Sequence, residues 1–166
     1  MNRYFGALLI IFISLNISCS SSIDEALSYN EDIVLCYKKV ADIEERLIYY
    51  LLTSDTINFN VQFENFKKQL DASEEEMKSI GGFNGDDTFQ KEGVAMMNAY
   101  RETTLKELPE LLVLLANSDT LGADSVNHDA LFEKRLNNYD KIIGRAFDKF
   151  FEAQQKFAAR YSIKIE

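Results

Sequence analysis

Residues 132–157 read FEKRLNNYDKIIGRAFDKFFEAQQKF. Within this stretch Phe132, Leu136, Tyr139, Ile143, Ala146, Phe150, Ala153 and Phe157 recur at spacings of 4, 3, 4, 3, 4, 3 and 4. Every one is apolar or aromatic, and Lys134, Arg135, Asp140, Lys141, Lys149 and Lys156 fall between them. Alternating steps of three and four put side chains on one face of an α-helix, so the stretch reads as an amphipathic helix with a coiled-coil-like seam. Ser125 or Asp124 suits its N-cap, and Asp129 places negative charge in the first turn. From 125 to 161 such a helix is about 55 Å long at 1.5 Å per residue.

Working outward, the same period returns three times. Phe59, Phe63, Phe66, Leu70, Ser73, Met77 and Ile80 form a second stripe, closed by Gly81 and Gly82 as a C-cap. Ile33, Cys36, Val40, Ile43, Leu47 and Tyr50 form another, widened by Val34, Ala41 and Ile48. A third follows an N-cap at Asp86 or Asp87 and runs through Phe89, Met96 or Met97, Tyr100, Leu108, Leu112 and Leu115. Pro109 lies inside it, removing a backbone donor, so a kink or break near Glu107 is expected. Helices are expected at 24–53, 57–80, 87–117 and 125–161, with short links at 54–56, 81–86 and 118–124. No run alternates as a strand. Short links between long helices favour antiparallel neighbours, so the expected fold is all-α, an up-down-up-down antiparallel four-helix bundle.

Composition narrows the function classes. The chain has 166 residues, two cysteines, one histidine, one proline, no tryptophan and a net charge of −9. Two cysteines do not make a disulfide scaffold, and His128 alone does not make a three-His metal site. An apolar content of 46% argues against disorder. The acidic balance speaks against nucleic acid as a partner, because phosphate binding needs clustered Lys and Arg.

The N-terminus reads as an address. Arg3 precedes an apolar run from Phe5 to Leu15, followed by Asn16, Ile17, Ser18 and Cys19. This is a secretory signal layout, too short for a permanent span. Ile17, Ser18 and Cys19 resemble the end of a bacterial lipoprotein signal, although Asn16 stands where Leu is usual. The resemblance implies removal of residues 1–18, lipid on the Cys19 thiol and amine, and a tether over 19–23 ahead of a single domain, 24–166. Ser20 after the lipidated position tilts the destination toward the outer membrane. Loss of Arg3 with the signal takes the net charge from −9 to −10. An acidic body is repelled by anionic headgroups, so lipid rather than a surface helix does the anchoring.

Few residues suggest chemistry. Cys36, on a core stripe, reads as a small buried hydrophobe. His128 near Asp124 and Asp129 reads as an exposed polar residue; the sequence contains no Glu-x-x-His and no Cys-x-x-Cys-His. Gly81-Gly82-Phe83-Asn84-Gly85-Asp86-Asp87 matches neither a phosphate loop nor an EF-hand, and reads as cap, turn and cap with Phe83 tucked onto the bundle end. Glu74, Glu75 and Glu76 read as a solvated face. Tyr50, Tyr100 and Tyr139 lie on or near core stripes and are the candidate lining of an amphipathic pocket. No catalytic group, metal or cofactor follows from these spacings.

Phe83-Asn84-Gly85-Asp86-Asp87-Thr88-Phe89, followed by Ala95-Met96-Met97-Asn98-Ala99-Tyr100, is similar to a family of four-helix surface lipoproteins of Bacteroidetes and spirochaetes. The resemblance implies a helical fold and a lipid anchor in the cell envelope. It carries over no activity. The expected function is a non-enzymatic, membrane-tethered binding or structural module with an unknown protein or small-molecule partner. The alternative is a carrier of a small ligand or cofactor in the bundle core. A carboxylate-dependent envelope hydrolase ranks last.

Overall fold

In the computed structural model the described residues are 4–118 and 125–165, with side chains described over 22–116 and 128–165. Four helices account for almost all of them: α1 Tyr4–Leu52, α2 Thr56–Ile80, α3 Thr88–Ser118 and α4 Ser125–Tyr161. The described residues contain no strand, only an isolated bridge between Phe83 and Asp86. None of the helices is long and apolar enough, among the described residues, to cross a membrane.

Three helices begin within a residue of their expected starts. α1 does not: it begins at Tyr4 rather than 24. Nothing between the signal-like run and Leu52 breaks a helix, since residues 16–52 contain neither proline nor glycine. The expected signal, the Cys19 attachment and the N-cap choice for α4 concern side chains outside the described ones.

Of the kink or break expected near Glu107, the break does not occur. α3 runs unbroken through Pro109. Leu108 and Leu111, both fully buried, hold the helix on either side of it. Core burial there outweighs the one backbone hydrogen bond that proline cannot donate.

The stripes meet as the periodicity requires. The core takes Ile33, Cys36, Val40, Leu47 and Leu51 from α1, and Phe59, Phe66, Leu70 and Met77 from α2. From α3 come Phe89, Met96, Met97, Tyr100, Leu108 and Leu111, and from α4 Tyr139, Phe150, Ala153 and Phe157. α1 packs on the other three helices and α3 on α2 and α4, whereas α2 and α4 share no packing among the described residues. Gly93 lets α3 come close to α2 and α4, because a Cβ there would strike Met77 and lie 3.3 Å from Phe150.

The loop between α2 and α3 is a two-residue hairpin turn. Phe83 and Asp86 exchange both backbone hydrogen bonds, at 2.8 and 3.0 Å. Asn84 and Gly85 between them both have positive φ, 51° and 81°. That is the type I′ geometry that Asn-Gly favours. The turn folds Phe83 onto the bundle end against Tyr29, Phe157 and Tyr161, as expected. The Asp86 carboxylate accepts from the Thr88 amide at 2.9 Å at the start of α3 and pairs with Arg160 of α4.

Glu74 corrects the expectation of a solvated acidic run. Its side chain is only 12% exposed, and it pairs with Lys78 and, at 2.6 Å, with Arg101 of α3. Glu76 reaches Lys39 of α1 at 2.7 Å. The run therefore ties α2 to both neighbouring helices.

Candidate functional site

The candidate site is a polar cluster inside the bundle, drawn from three helices. Tyr100 and Thr104 stand one turn apart on α3, Tyr37 and Glu44 two turns apart on α1, and Tyr139 is on the α4 seam. Tyr100, Tyr139 and Thr104 are buried, while Tyr37 and Glu44 are half-buried. The Tyr139 hydroxyl donates to a Glu44 carboxylate oxygen at 2.6 Å. Its single proton is thereby committed, so the Thr104 hydroxyl, 3.0 Å away, donates to the Tyr139 oxygen. The order of donation runs from Thr104 to Tyr139 to Glu44. The Tyr100 hydroxyl lies near that of Tyr37, and its ring meets Phe66 edge-on at 5.8 Å.

Burial sets the charge states. Desolvation and the nearby Glu44 charge push the Tyr100 and Tyr139 phenols far up, so both keep their protons. Burial also raises the Glu44 carboxyl; the bond from Tyr139 lowers it in part, and Asp140 and Glu45 add to the rise. The arrangement holds a proton between a phenol and a carboxylate in a low-dielectric setting. Among the described residues no buried side-chain polar atom lacks a hydrogen-bond partner.

Of the three tyrosines expected together, Tyr100 and Tyr139 share this cluster. Tyr50 lies farther along α1, half-buried, with its ring 5.4 Å from Tyr49. Glu44, Tyr37 and Thr104 were not expected there. The signal for Glu44 was present: it falls four residues after Val40 and three before Leu47, where the α1 stripe calls for a core side chain. Thr104 follows Tyr100 by four in the same way.

A second group closes the end of the bundle near the start of the described side chains. Tyr29 packs against Phe83, Phe89 and Phe157, and donates to the Gly81 carbonyl at 3.0 Å. Burial, with Asp86 and Asp87 nearby, pushes its phenol up to about 12. Cys36 is fully buried, as expected, and burial beside Glu76 raises its thiol to about 11. His128 is half-buried in the first turns of α4, and Asp124 beside it lies outside the described residues. No three His, Cys, Asp or Glu side chains gather as a metal site among the described residues.

No protein-family model, curated protein or solved structure matches the chain.

Proposed function

We propose that the chain is a lipid-anchored protein of the cell envelope, tethered through Cys19 to the outer membrane. Its body is one domain, 24–166, an up-down-up-down antiparallel bundle that binds a partner or contributes structure rather than catalysing a reaction. The observation that carries this reading is the run of Arg3, an apolar stretch, a small Ser18 and Cys19, continued by three serines.

Cross-helix pairs support the topology. From Asn30 to Glu44 of α1, the α4 partners fall from Gln154 to Tyr139. From Tyr29 to Lys39, the α2-side partners fall from Gly81 to Glu76. From Thr104 to Glu110 of α3, the α4 partners fall from Tyr139 to Arg135. Opposite counting along each pair supports opposed neighbours. The buried cluster supports a body without a core ligand, since Thr104, Tyr139 and Glu44 spend their hydrogen bonds on one another.

Labelled palmitate fed to cells expressing the full chain tests the anchor. Incorporation that disappears in Cys19→Ala is the expected result. A Cys19→Ala protein that takes up the label as the parent chain does overturns it.

A further inference from the structure

The end of the bundle formed by the α1–α2 turn is unlike the rest of the surface. The chain as a whole is 27% charged. Yet between Arg46 and Glu64 the single charged residue is Asp55, which caps α2 by accepting from the Asn58 amide at 3.1 Å. Four large apolar or aromatic side chains stand in solvent around this turn. Ile57 is 77% exposed, Tyr49 62%, Leu52 56% and Val61 55%. The other exposed residues between them are Thr53, Ser54, Thr56, Asn58 and Asn60, all uncharged and able to hydrogen-bond.

Behind the tip the two helices bound a groove of about 480 Å³ lined by Ile43, Arg46, Gln62, Asn65, Lys68 and Gln69, with Ala72. Arg46 and Lys68 are the cations that line it, and neither makes an ion pair among the described residues. Ile57, Val61, Asn65 and Lys68 follow one another at steps of 4, 4 and 3, so one face of α2 carries both tip and groove. Seven residues separate Lys68 from Val61, and six separate Arg46 from Leu52. Arg46 and Lys68 therefore sit about 10 Å behind Leu52 and Val61 at 1.5 Å per residue.

We propose that the α1–α2 tip inserts into a lipid surface bearing anionic phosphate headgroups, with Tyr49, Leu52, Ile57 and Val61 entering the acyl boundary and Arg46 and Lys68 meeting the phosphates. The offset matches the roughly 5–10 Å to which interfacial apolar faces sink. Tyrosine with uncharged polar neighbours suits the interface, where one side of the ring is apolar and the hydroxyl stays wet. Arg46, Lys67 and Lys68 balance Asp42, Glu45 and Glu64 around the groove, so the tip escapes the repulsion that the acidic body meets and its two unpaired cations are left to meet phosphate. The tip lies about 45 Å along α1 from residue 22, so this contact is separate from any anchor at Cys19. A protein so placed touches lipid at two ends.

The chain has no tryptophan, so Tyr49→Trp in the full-length protein gives a single reporter at the tip. It is mixed with vesicles of phosphatidylethanolamine and phosphatidylglycerol, some carrying bromine on the acyl chains, or with phosphatidylcholine alone. The expected result is a shift of emission to shorter wavelength and quenching by the brominated chains, strongest with phosphatidylglycerol and weakened by salt. Adding Ile57→Ser with Val61→Ser should abolish both effects. Adding Arg46→Gln with Lys68→Gln should raise the lipid needed by about fivefold per cation, roughly thirtyfold for the pair. Emission that stays at its water value with every vesicle, while far-ultraviolet circular dichroism reports an intact helical fold, overturns the proposal. So does an unchanged lipid requirement without the cations, or a photo-cross-linker at Val61 that couples in cells to one protein and not to lipid. Because the reporter sits at the tip, these outcomes are independent of whether Cys19 carries lipid.

Discussion

The Tyr139 hydroxyl and the Glu44 carboxylate meet at 2.6 Å, joining α4 to α1 across the interior of the bundle. Residues 95 positions apart are thus held by one proton, which Thr104 of α3 orients from the other side. Tyr139→Phe removes a donor from Glu44 and an acceptor from Thr104, and should cost about 1–3 kcal/mol. In a double-mutant cycle with Glu44→Leu the two losses should fall short of additivity, because the second change removes a partner already stranded. Urea denaturation of the four proteins measures it; strict additivity would mean the bond contributes nothing.

Stability should depend on pH with two opposite signs. Glu44 has a folded-state value above its ordinary 4.5, chiefly through burial. Its contribution is complete below about pH 4.5 and is lost as pH rises through the folded value. Glu74 is lowered by Lys78 and Arg101, and Asp86 by Thr88 and Arg160. Their contributions are present above their ordinary values of 4.5 and 3.8 and are lost as pH falls through the lowered ones. Denaturation midpoints across this range should therefore pass through a maximum. Glu44→Gln should flatten the limb toward neutral pH and leave the acid limb, and Glu74→Gln should do the reverse.

Two helical glycines should respond to alanine in opposite directions. Gly144 on α4 has open space where a Cβ would stand, so Gly144→Ala should stabilise by about 0.5–1 kcal/mol through helix propensity. Gly93 on α3 faces the buried Met77 and Phe150. The same propensity gain there meets an overpacking cost of about 1–3 kcal/mol, and Gly93→Ala should destabilise. Thermal melting of the two variants, compared side by side, decides it.

Gly85 should resist substitution more than its exposure suggests. It occupies the second central position of the hairpin turn with φ at 81°. An L side chain in that conformation costs about 1–2 kcal/mol. Gly85→Ala should lower stability by that amount, whereas Asn84→Gly, also at positive φ, should be close to neutral.

The Cys36 thiol should be inert while the protein is folded. It is fully buried, and its value of about 11 leaves little thiolate at neutral pH. Alkylation followed by mass spectrometry should report labelling of Cys36 only as denaturant unfolds the chain. Labelling at the rate of a free thiol in native buffer would contradict the burial.

The helices were legible because each stripe is long and strict. Spacings of three and four over Phe132–Phe157 leave one face to bury, and α4 spans the expected range. The hairpin turn was legible as a turn from its glycines, and Asn84-Gly85 also carried its type. Pro109 does not break α3 because the packing of Leu108 and Leu111 around it outweighs the local cost. Glu74 misled because three successive acids look equivalent in a line, while on a helix they point in three directions and one of them faces Arg101.

What belongs to sequence alone is what repeats locally: four helical periods, the caps and turns between them, the signal-like N-terminus with Cys19, and the interval from Leu47 to Phe63 whose one charge is Asp55. Tertiary structure decided which residues from distant stretches share a site. Tyr139 meets Thr104 and Glu44, Tyr50 stands apart beside Tyr49, and Glu44 comes from a helix that no spacing rule linked to the other two. The reason is that periodicity states which face a helix buries, but the axial offset between helices is chosen by how all the side chains interlock. That offset sets Glu44 beside Tyr139, and it sets Arg46 and Lys68 along one groove behind an apolar tip.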